Sequence, residues 1–220
     1  MRKQLLSMWR AAIVLLVVSA WAGVLSAQIT APLVFIKAPV SVLPTLDKNT
    51  RLDMVDYFKG GMATASATSL NGEARVTAMT DGQIEFTTSD NGRMTMSPVK
   101  YGRDTVIVVV KTVDLPAPDS RVELYSWPAW DLLDSCDSGV IADWVTPSAR
   151  KENRTEDVEN ALGFMTASAT FDPATLTVTF VPTVASVITE KEFEKVSPYV
   201  SRTMTAKVKA GKGIVRDKWK

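Results

Sequence analysis

The sequence contains no histidine and a single cysteine, Cys136, in 220 residues. Without histidine the chain cannot form a Ser-His-Asp triad, a Cys-His pair, a histidine metal site or an imidazole switch near neutral pH. With one cysteine it can form neither an intrachain disulfide nor a cysteine zinc site. These absences remove the commonest nucleophilic and metal-dependent mechanisms, so they favour a binding protein over an enzyme.

The sequence also has little net charge and few aromatic residues. The 25 Lys and Arg residues nearly balance the 24 Asp and Glu residues, and aromatic residues make up 8% of the chain. A nucleic-acid-binding domain usually carries a clear positive excess, so we expect no nucleic-acid partner. The length and the 46% hydrophobic content suffice for an ordinary buried core, which argues against disorder.

The first 27 residues have the pattern of a signal peptide. Arg2 and Lys3 give a positive start, an apolar run follows at 11–25, and Ser26 and Ala27 are small residues suited to cleavage. The alternative is an uncleaved membrane anchor, because the apolar run is only slightly shorter than the roughly 20 residues that cross a bilayer. We predict cleavage and a location in the periplasm or at the cell surface.

The charge of the remaining chain is distributed unevenly. From residue 202 onward there are seven basic residues and one acid, Asp217, while the preceding part is acidic. This basic arm includes Lys207, Lys209, Lys212, Arg216 and Lys218. It either neutralises the acidic body of the same molecule or makes a weak contact with an anionic surface such as lipid or glycan.

The start of the mature chain is predicted to be extended and then helical. Three prolines interrupt 29–46, which predicts an extended lead-in with at most a short strand at 33–36. Helical spacing of apolar residues begins after it, with Asn49 or Thr50 as the cap and Gly60 at the end.

Tight-turn dipeptides recur every ten residues in the next segment, at Asn71-Gly72, Asp81-Gly82 and Asn91-Gly92. Such dipeptides adopt the positive φ angles of two-residue hairpin turns, so they predict an antiparallel meander. Its five predicted strands are 73–80, 83–90, 93–100, 106–110 and 121–127. The run 106–110 is apolar without alternation, which predicts a central strand covered on both faces.

The second half starts with an acidic, polar linker at 128–160, of which 148–160 is either a loop or a short helix. Strand patterns at 164–171 and 175–181 then predict a hairpin. Thr189 and Glu192 form the capping box of a helix at 190–196, and a last strand follows at 203–209.

These elements predict an α+β fold with a mainly antiparallel sheet, a β-meander plus a later hairpin, and two short helices packed on it. We expect a single domain at 28–220, with a weak pseudo-repeat of 45–127 and 160–210 joined by the acidic linker. The sequence has no alternating βαβ units, so a nucleotide site of the doubly wound type is not expected.

Three tryptophans, Trp127, Trp130 and Trp144, lie within eighteen residues. Exposed tryptophan rings stack on sugars or peptides, and tryptophan is enriched at the energetic centres of protein interfaces. The alternative is structural, with the rings sealing one end of the sheet against the linker. The three tryptophans are the main binding candidates of the sequence.

Two groups of carboxylates have a catalytic or metal-binding alternative. Asp131, Asp134 and Asp137 stand three apart, but they lack the spacing of a calcium loop, so a solvated acidic turn is favoured. Asp53 and Asp56 would serve glycoside hydrolysis only if they faced each other across a cleft, and one helix normally presents such a pair to solvent. We predict no catalytic residue, no metal ion and no cofactor.

The string Asn49-Thr50-Arg51-Leu52-Asp53-Met54-Val55-Asp56-Tyr57, followed later by Asp119-Ser120-Arg121, resembles a secreted Bacteroidetes family catalogued as domain of unknown function 3256. The resemblance implies an α+β body in the periplasm or at the cell surface, and it carries no established activity. We expect Arg51 to pair with an acidic loop residue such as Asp119, and we add Asp119 and Arg121 to the candidate binding residues.

The predicted function is that of an exported envelope protein that binds another envelope protein or a peptide without catalysis. The alternatives are a carboxylate-dependent hydrolase acting on glycans and a glycan-binding module. Two carboxylates about 5 to 10 Å apart in a cleft would favour the hydrolase. Coplanar exposed tryptophans would favour the glycan module, and a ridge without a pocket would favour protein binding.

Overall fold

The computed structural model describes residues 29–69 and 72–217. The predicted leader at 1–27, Asn71 of the first turn dipeptide and Lys218 of the basic arm lie outside these residues. The helices are α1 Ala31–Lys37, α2 Lys48–Lys59, α3 Pro147–Lys151, α4 Thr155–Leu162 and α5 Glu190–Val196. None of the helices in the described part of the chain is long and apolar enough to cross a membrane.

The strands form two main antiparallel sheets and a short ribbon. The strands are β1 Ser66–Ala67, β2 Glu73–Ala74, β3 Val76–Met79, β4 Ile84–Ser89, β5 Gly92–Tyr101, β6 Asp104–Val113, β7 Asp119–Ser126, β8 Leu132–Cys136, β9 Ala167–Asp172, β10 Thr177–Pro182, β11 Met204–Lys209 and β12 Gly213–Arg216. The large sheet has the order β3-β4-β5-β6-β7-β8, the small sheet has the order β12-β11-β10-β9, and β1 pairs with β2. The predicted α+β class with antiparallel meander and hairpin is confirmed.

The large sheet has a hydrophobic core on each face. On the helix side, α1 packs mainly on β4 and β5 and α2 mainly on β1 and β3, with the rings of Phe35 and Phe86 4.5 Å apart between centroids. On the other side, the small sheet and α3 to α5 enclose a second core. Strand β6 contributes Ile107 to the first core and Val108 to the second, which confirms the prediction of a central strand covered on both faces.

The predicted extended lead-in is wrong, because Ala31–Lys37 forms α1. Pro32 lies in the first turn, where its missing N–H has no intrahelical acceptor and its fixed φ suits a helix. The amide of Ala31 donates to the carbonyl of Asp81 at 2.8 Å, which ties the start of α1 to the meander. The position of the proline within the helix therefore decides its effect.

The cap of helix α2 lies two to three residues before the predicted caps Asn49 and Thr50. Its cap is Asp47, whose Oδ1 accepts from the amides of Asn49 at 2.7 Å and Thr50 at 3.0 Å. The hydrogen bond from the Thr50 amide is the largest of the effects that hold the pKa of Asp47 below its usual value. Gly60 ends the helix as predicted.

The predicted acidic linker contains regular structure. Residues 132–136 form β8, the sixth strand of the large sheet, and 148–160 contributes to two short helices, α3 and α4, separated at Asn153 with a positive φ of 56°. The capping box of Thr189 and Glu192 opens α5 as predicted. The basic arm is not a free extension, because its described residues include the hairpin of β11 and β12.

Candidate functional site

The helix-side face of the large sheet carries a polar cluster on β6 and β7, beyond the strands on which α1 and α2 mainly pack. Arg121, Glu123 and Tyr125 alternate along β7, so their side chains share one face of the sheet. Lys111 lies directly opposite Arg121 on β6. The sheet register therefore brings two cations, one carboxylate and one phenol together.

Glu123 is the centre of this cluster. Its Oε2 accepts from the Tyr125 hydroxyl at 2.6 Å and lies 2.7 Å from Nζ of Lys111, and its Oε1 lies 3.2 Å from Nε of Arg121. Burial alone raises the pKa of Glu123, but the hydrogen bonds and positive charges of Lys111 and its neighbours outweigh burial and lower it. Burial and the Glu123 carboxylate raise the pKa of Tyr125. Glu123 is therefore ionised at neutral pH and holds its neighbours in place.

Two of the predicted binding residues, Trp127 and Trp130, lie in the loop that joins β7 to β8. The loop is closed by hydrogen bonds in both directions between Ser126 and Asp131, and Trp130 has a positive φ of 63°. The two indole rings are 5.9 Å apart at an interplanar angle of 69°, and Trp130 is also 5.9 Å from the ring of Tyr125. The tryptophans meet edge to face, so they do not form the coplanar platform of the glycan-binding hypothesis.

An exposed leucine extends the aromatic group. Leu132 pairs with Tyr125 across β7 and β8, and it is 52% exposed. Both tryptophans are half-buried, and Arg121 is exposed. We define the tryptophan surface as Arg121, Trp127, Trp130 and Leu132. It is a ridge with apolar and aromatic groups at one end and a guanidinium at the other, and the Tyr125 and Glu123 side chains link the two ends.

Trp144 does not belong to this surface, and its predicted role in binding is corrected. Its side chain is fully buried in the core between the two sheets, and its Nε1 donates to the carbonyl of Ser138 at 2.7 Å. The indole N–H thus has an internal partner, as buried tryptophans require. Trp144 is a core residue.

Asp119 has a structural contact. Its Oδ1 accepts from the amide of Ala167 at 3.1 Å, and Oγ of Ser120 accepts from the amide of Ala169 at 2.9 Å. Both bonds join β7 of the large sheet to β9 of the small sheet. Asp119 therefore helps to position the two sheets, and because it is exposed its role in binding stays a prediction.

The predicted pairing of Arg51 with Asp119 is wrong. Arg51 is 4% exposed, and its Nη1 donates to the carbonyls of Phe35, at 2.9 Å, and Ala38, while its Nε donates to Asp47 at 3.2 Å. These carbonyls lie at the end of α1 and the start of α2. Arg51 therefore joins two helices instead of joining a helix to the sheet.

The acidic residues after β7 also have internal partners. Oδ1 of Asp134 accepts from the amide of Ser135 at 2.8 Å and its Oδ2 accepts from Ile214 at 2.7 Å, so one carboxylate links β8 to β12. A Cβ at Gly213, where φ is 72°, would collide with Oδ2 of Asp134. Within 29–69 and 72–217, no three or more acidic or cysteine side chains converge as metal ligands would.

Arg216 of the basic arm pairs with the acidic segment. Its Nη1 lies 2.7 Å from Oδ2 of Asp143, and its Nη2 donates to the carbonyl of Asp137 at 3.0 Å. Lys207 donates to the carbonyl of Thr175 at 3.3 Å and to the Thr177 hydroxyl. Arg216 is thus neutralised within the molecule and Lys207 is hydrogen-bonded within it, while Lys209 and Lys212 are exposed.

Sequence reasoning missed three members of the polar cluster, Lys111, Glu123 and Tyr125. A charged residue directly after the apolar run of β6 was the only local signal for Lys111. The alternation along β7 placed Glu123 and Tyr125 on one face, but their meeting with Lys111 depends on strand register. The carboxylates Asp53 and Asp56, weighed as a catalytic pair, are both exposed on α2.

Comparison with known proteins identifies the fold and the family. The solved structure titled "Structure of a domain of an uncharacterized protein from Porphyromonas gingivalis W83" is similar, with a TM-score of 0.68 and 21% identity over 87% of this chain and 100% of that chain. At this identity the likeness shows the fold alone. No curated protein matches the chain significantly. A family described as "Protein of unknown function (DUF3256)" matches residues 23–212, most of the sequence, so the chain belongs to this family, as the strings around Arg51 and Asp119 predict.

Proposed function

We propose that the protein is a noncatalytic module of the cell envelope that binds a partner protein or peptide through the tryptophan surface. The observation that carries the proposal is a row of side chains in contact, which runs from the half-buried Trp127 and Trp130 through Tyr125 and Glu123 to the exposed Arg121 guanidinium, with exposed Leu132 paired to Tyr125. Tryptophan, tyrosine and arginine are the residue types that dominate binding energy at protein interfaces. The envelope location rests on the leader pattern at 1–27 and is tested by fractionation of the native host.

The charges of the cluster indicate which partner fits. Lys111 and Arg121 contribute two positive charges, whereas Glu123 contributes one negative charge. The surplus positive charge lies beside an apolar ridge, so the complementary segment carries a carboxylate next to an aromatic or aliphatic side chain. Such a carboxylate would form a charge-assisted hydrogen bond with the exposed guanidinium of Arg121.

The glycan-binding and hydrolase alternatives have less support. The interplanar angle of 69° between the tryptophan rings gives sugars no flat platform across both rings. The only carboxylate of the polar cluster, Glu123, is committed to Lys111, Arg121 and Tyr125. A binding ridge accounts for the arrangement without assigning a reaction to it.

The experiment is selection of peptides from a displayed random library on the mature chain at 28–220, followed by affinity measurement by fluorescence anisotropy. We expect enriched peptides to place Asp or Glu beside an aromatic or aliphatic residue. Leu132→Ser and Arg121→Glu should each lower the affinity for these peptides at least about tenfold, because each removes one half of the complementary surface.

Two exposed residues outside the ridge provide matched controls. Val140 is 64% exposed, and Arg103 is exposed in the turn between β5 and β6. Val140→Ser and Arg103→Glu should leave the affinity unchanged. Equal binding by all four variants, or enrichment of no peptide class, would contradict the proposal.

A further inference from the structure

A groove with a volume of about 440 Å³ lies between α4 and α5, and none of its lining residues belongs to the tryptophan surface. Its apolar lining is Ala161, which is half-buried, and Val196, which is 3% exposed. Pockets for small ligands commonly have volumes of about 300 to 1,000 Å³. The groove is therefore large enough for a small molecule, and Ala161 gives it a small apolar surface on which a side chain can rest.

Each wall of the groove carries one cation and one anion. Helix α4 and the residue before it supply Arg154 and Asp157, and α5 supplies Glu192 and Lys195. Arg154 and Asp157 form an ion pair at 3.1 Å along the same wall. Among the ion pairs in the described part of the chain, none joins α4 to α5. Opposite charges therefore stand on both sides of an open groove without bridging it.

Two of these charged side chains, Arg154 and Glu192, are positioned by contacts with residues that do not line the groove. Arg154 lies 5.4 Å above the ring of Tyr199, whose hydroxyl donates to Glu152 at 3.1 Å. Glu192 is fixed by its capping box with Thr189, with an Oγ1 to Oε2 distance of 2.6 Å. Side chains positioned before binding lose less conformational entropy when a ligand arrives.

We propose that the groove binds a small zwitterion, namely an amino acid or a short peptide with free termini. The carboxylates of Asp157 and Glu192 accept hydrogen bonds from the ligand's ammonium group, while Lys195 and the Asn160 amide donate to the ligand's carboxylate. Its side chain rests on Ala161. The four charged residues sum to zero, so the groove favours a ligand that carries both charges over a simple anion or cation. This proposal is independent of the tryptophan surface.

The test is a titration of the isotope-labelled mature chain, followed by amide NMR shifts, with alanyl-valine and its N-acetylated and C-amidated forms. The unblocked dipeptide should shift the amides of α4 and α5, and each blocked form should bind at least about tenfold more weakly. Lys195→Gln should lower the affinity for alanyl-valine to that of the C-amidated form. The affinity for the C-amidated form itself should stay unchanged.

Lys191, an exposed lysine of α5 that does not line the groove, gives the matched control, since Lys191→Gln should bind the dipeptide like the unaltered chain. Asn160→Ala provides a second variant that retains the charge of both helices and should also weaken the dipeptide. Equal affinity for the free and blocked dipeptides overturns the proposal. So does the absence of α4 and α5 shifts at about 10 mM ligand, because a site with a Kd of about 1 mM would be about nine-tenths occupied at that concentration.

Discussion

The two faces of the large sheet are covered in different ways. On one face the small sheet and three helices enclose a full core, and polar side chains such as Asp119 and Asp134 join the sheets by binding backbone amides. On the other face α1 and α2 pack mainly on β1 and β3 to β5, which leaves the Glu123 cluster and the tryptophan surface on β6 to β8. Both faces hold a core, and the partly covered second face also provides the surface for which we propose a function.

The largest effect that distinguishes the faces should come from truncating tryptophans. Trp144→Ala should lower the free energy of unfolding by about 3 to 5 kcal/mol, because it removes a fully buried ring and leaves a cavity. Trp130→Ala should cost less than half as much, since Trp130 is half-buried at the surface. Urea unfolding followed by circular dichroism measures both, and similar losses would break the distinction between core and surface.

The next largest effect on stability is expected on the face of the large sheet that α1 and α2 cover. Arg51→Met should destabilise the protein by about 3 kcal/mol, because three carbonyl groups lose a hydrogen bond to a charged donor, although those of Phe35 and Asp47 keep a backbone amide. Hydrogen exchange should accelerate most in α1, which Arg51 joins to α2. The exposed Arg75 gives the control, and Arg75→Met should change neither measurement. Unchanged exchange in α1 would show that packing alone holds that helix.

A smaller effect on the free energy of unfolding, at Glu123, should depend on pH. The folded-state pKa of Glu123 is lowered, so its ionisation stabilises the fold above the unfolded-state value near 4.5, and this contribution is lost as pH falls through the lower folded pKa. Glu123→Gln should therefore cost about 2 kcal/mol at pH 7 and progressively less below pH 4.5. The difference in urea midpoints across this pH range tests the prediction, with Glu85→Gln, a change to an exposed side chain, as the control.

The smallest effect is expected at the ion pairs between the basic arm and the acidic segment. Arg216→Gln should cost at most about 1 kcal/mol, because the Arg216 and Asp143 side chains are 32% and 40% exposed and solvent screens their attraction. Urea unfolding in 0.05 M and 0.5 M NaCl should show the cost falling at the higher ionic strength. A cost that is independent of salt would mean that the packing of the Arg216 stem, not its charge, stabilises the hairpin.

Local sequence patterns predicted most of the fold. The apolar run of β6, the hairpin of β9 and β10 and the capping box of α5 each depend on residues close together in the chain. The α1 helix was missed because Pro32 reads as a breaker unless its place in the first turn is known. Strand β8 was missed because the exposed Leu132 and Leu133, next to an irregular register with β7, show no alternation.

The candidate site was predicted only in part, for a different reason. Trp127, Trp130 and Arg121 are visible as residue types, and two of them are neighbours in one loop. Glu123 and Lys111 meet because β6 and β7 pair in one particular register, and the structural contact of Asp119 depends on a bond to β9. Contacts between distant segments are fixed by tertiary packing, which a residue pattern within one segment does not encode.

The bonds between the sheets have a consequence for the behaviour of the protein at high concentration. An unpaired strand edge is a template on which a strand of another molecule can add, and this is a common start of aggregation. In the small sheet, Asp119 and Ser120 occupy amides of β9, Gln83 donates to the carbonyl of Phe171, and Asp134 occupies an amide of β12. A second copy would have to displace these side chains first, so the fold protects its small sheet from self-association.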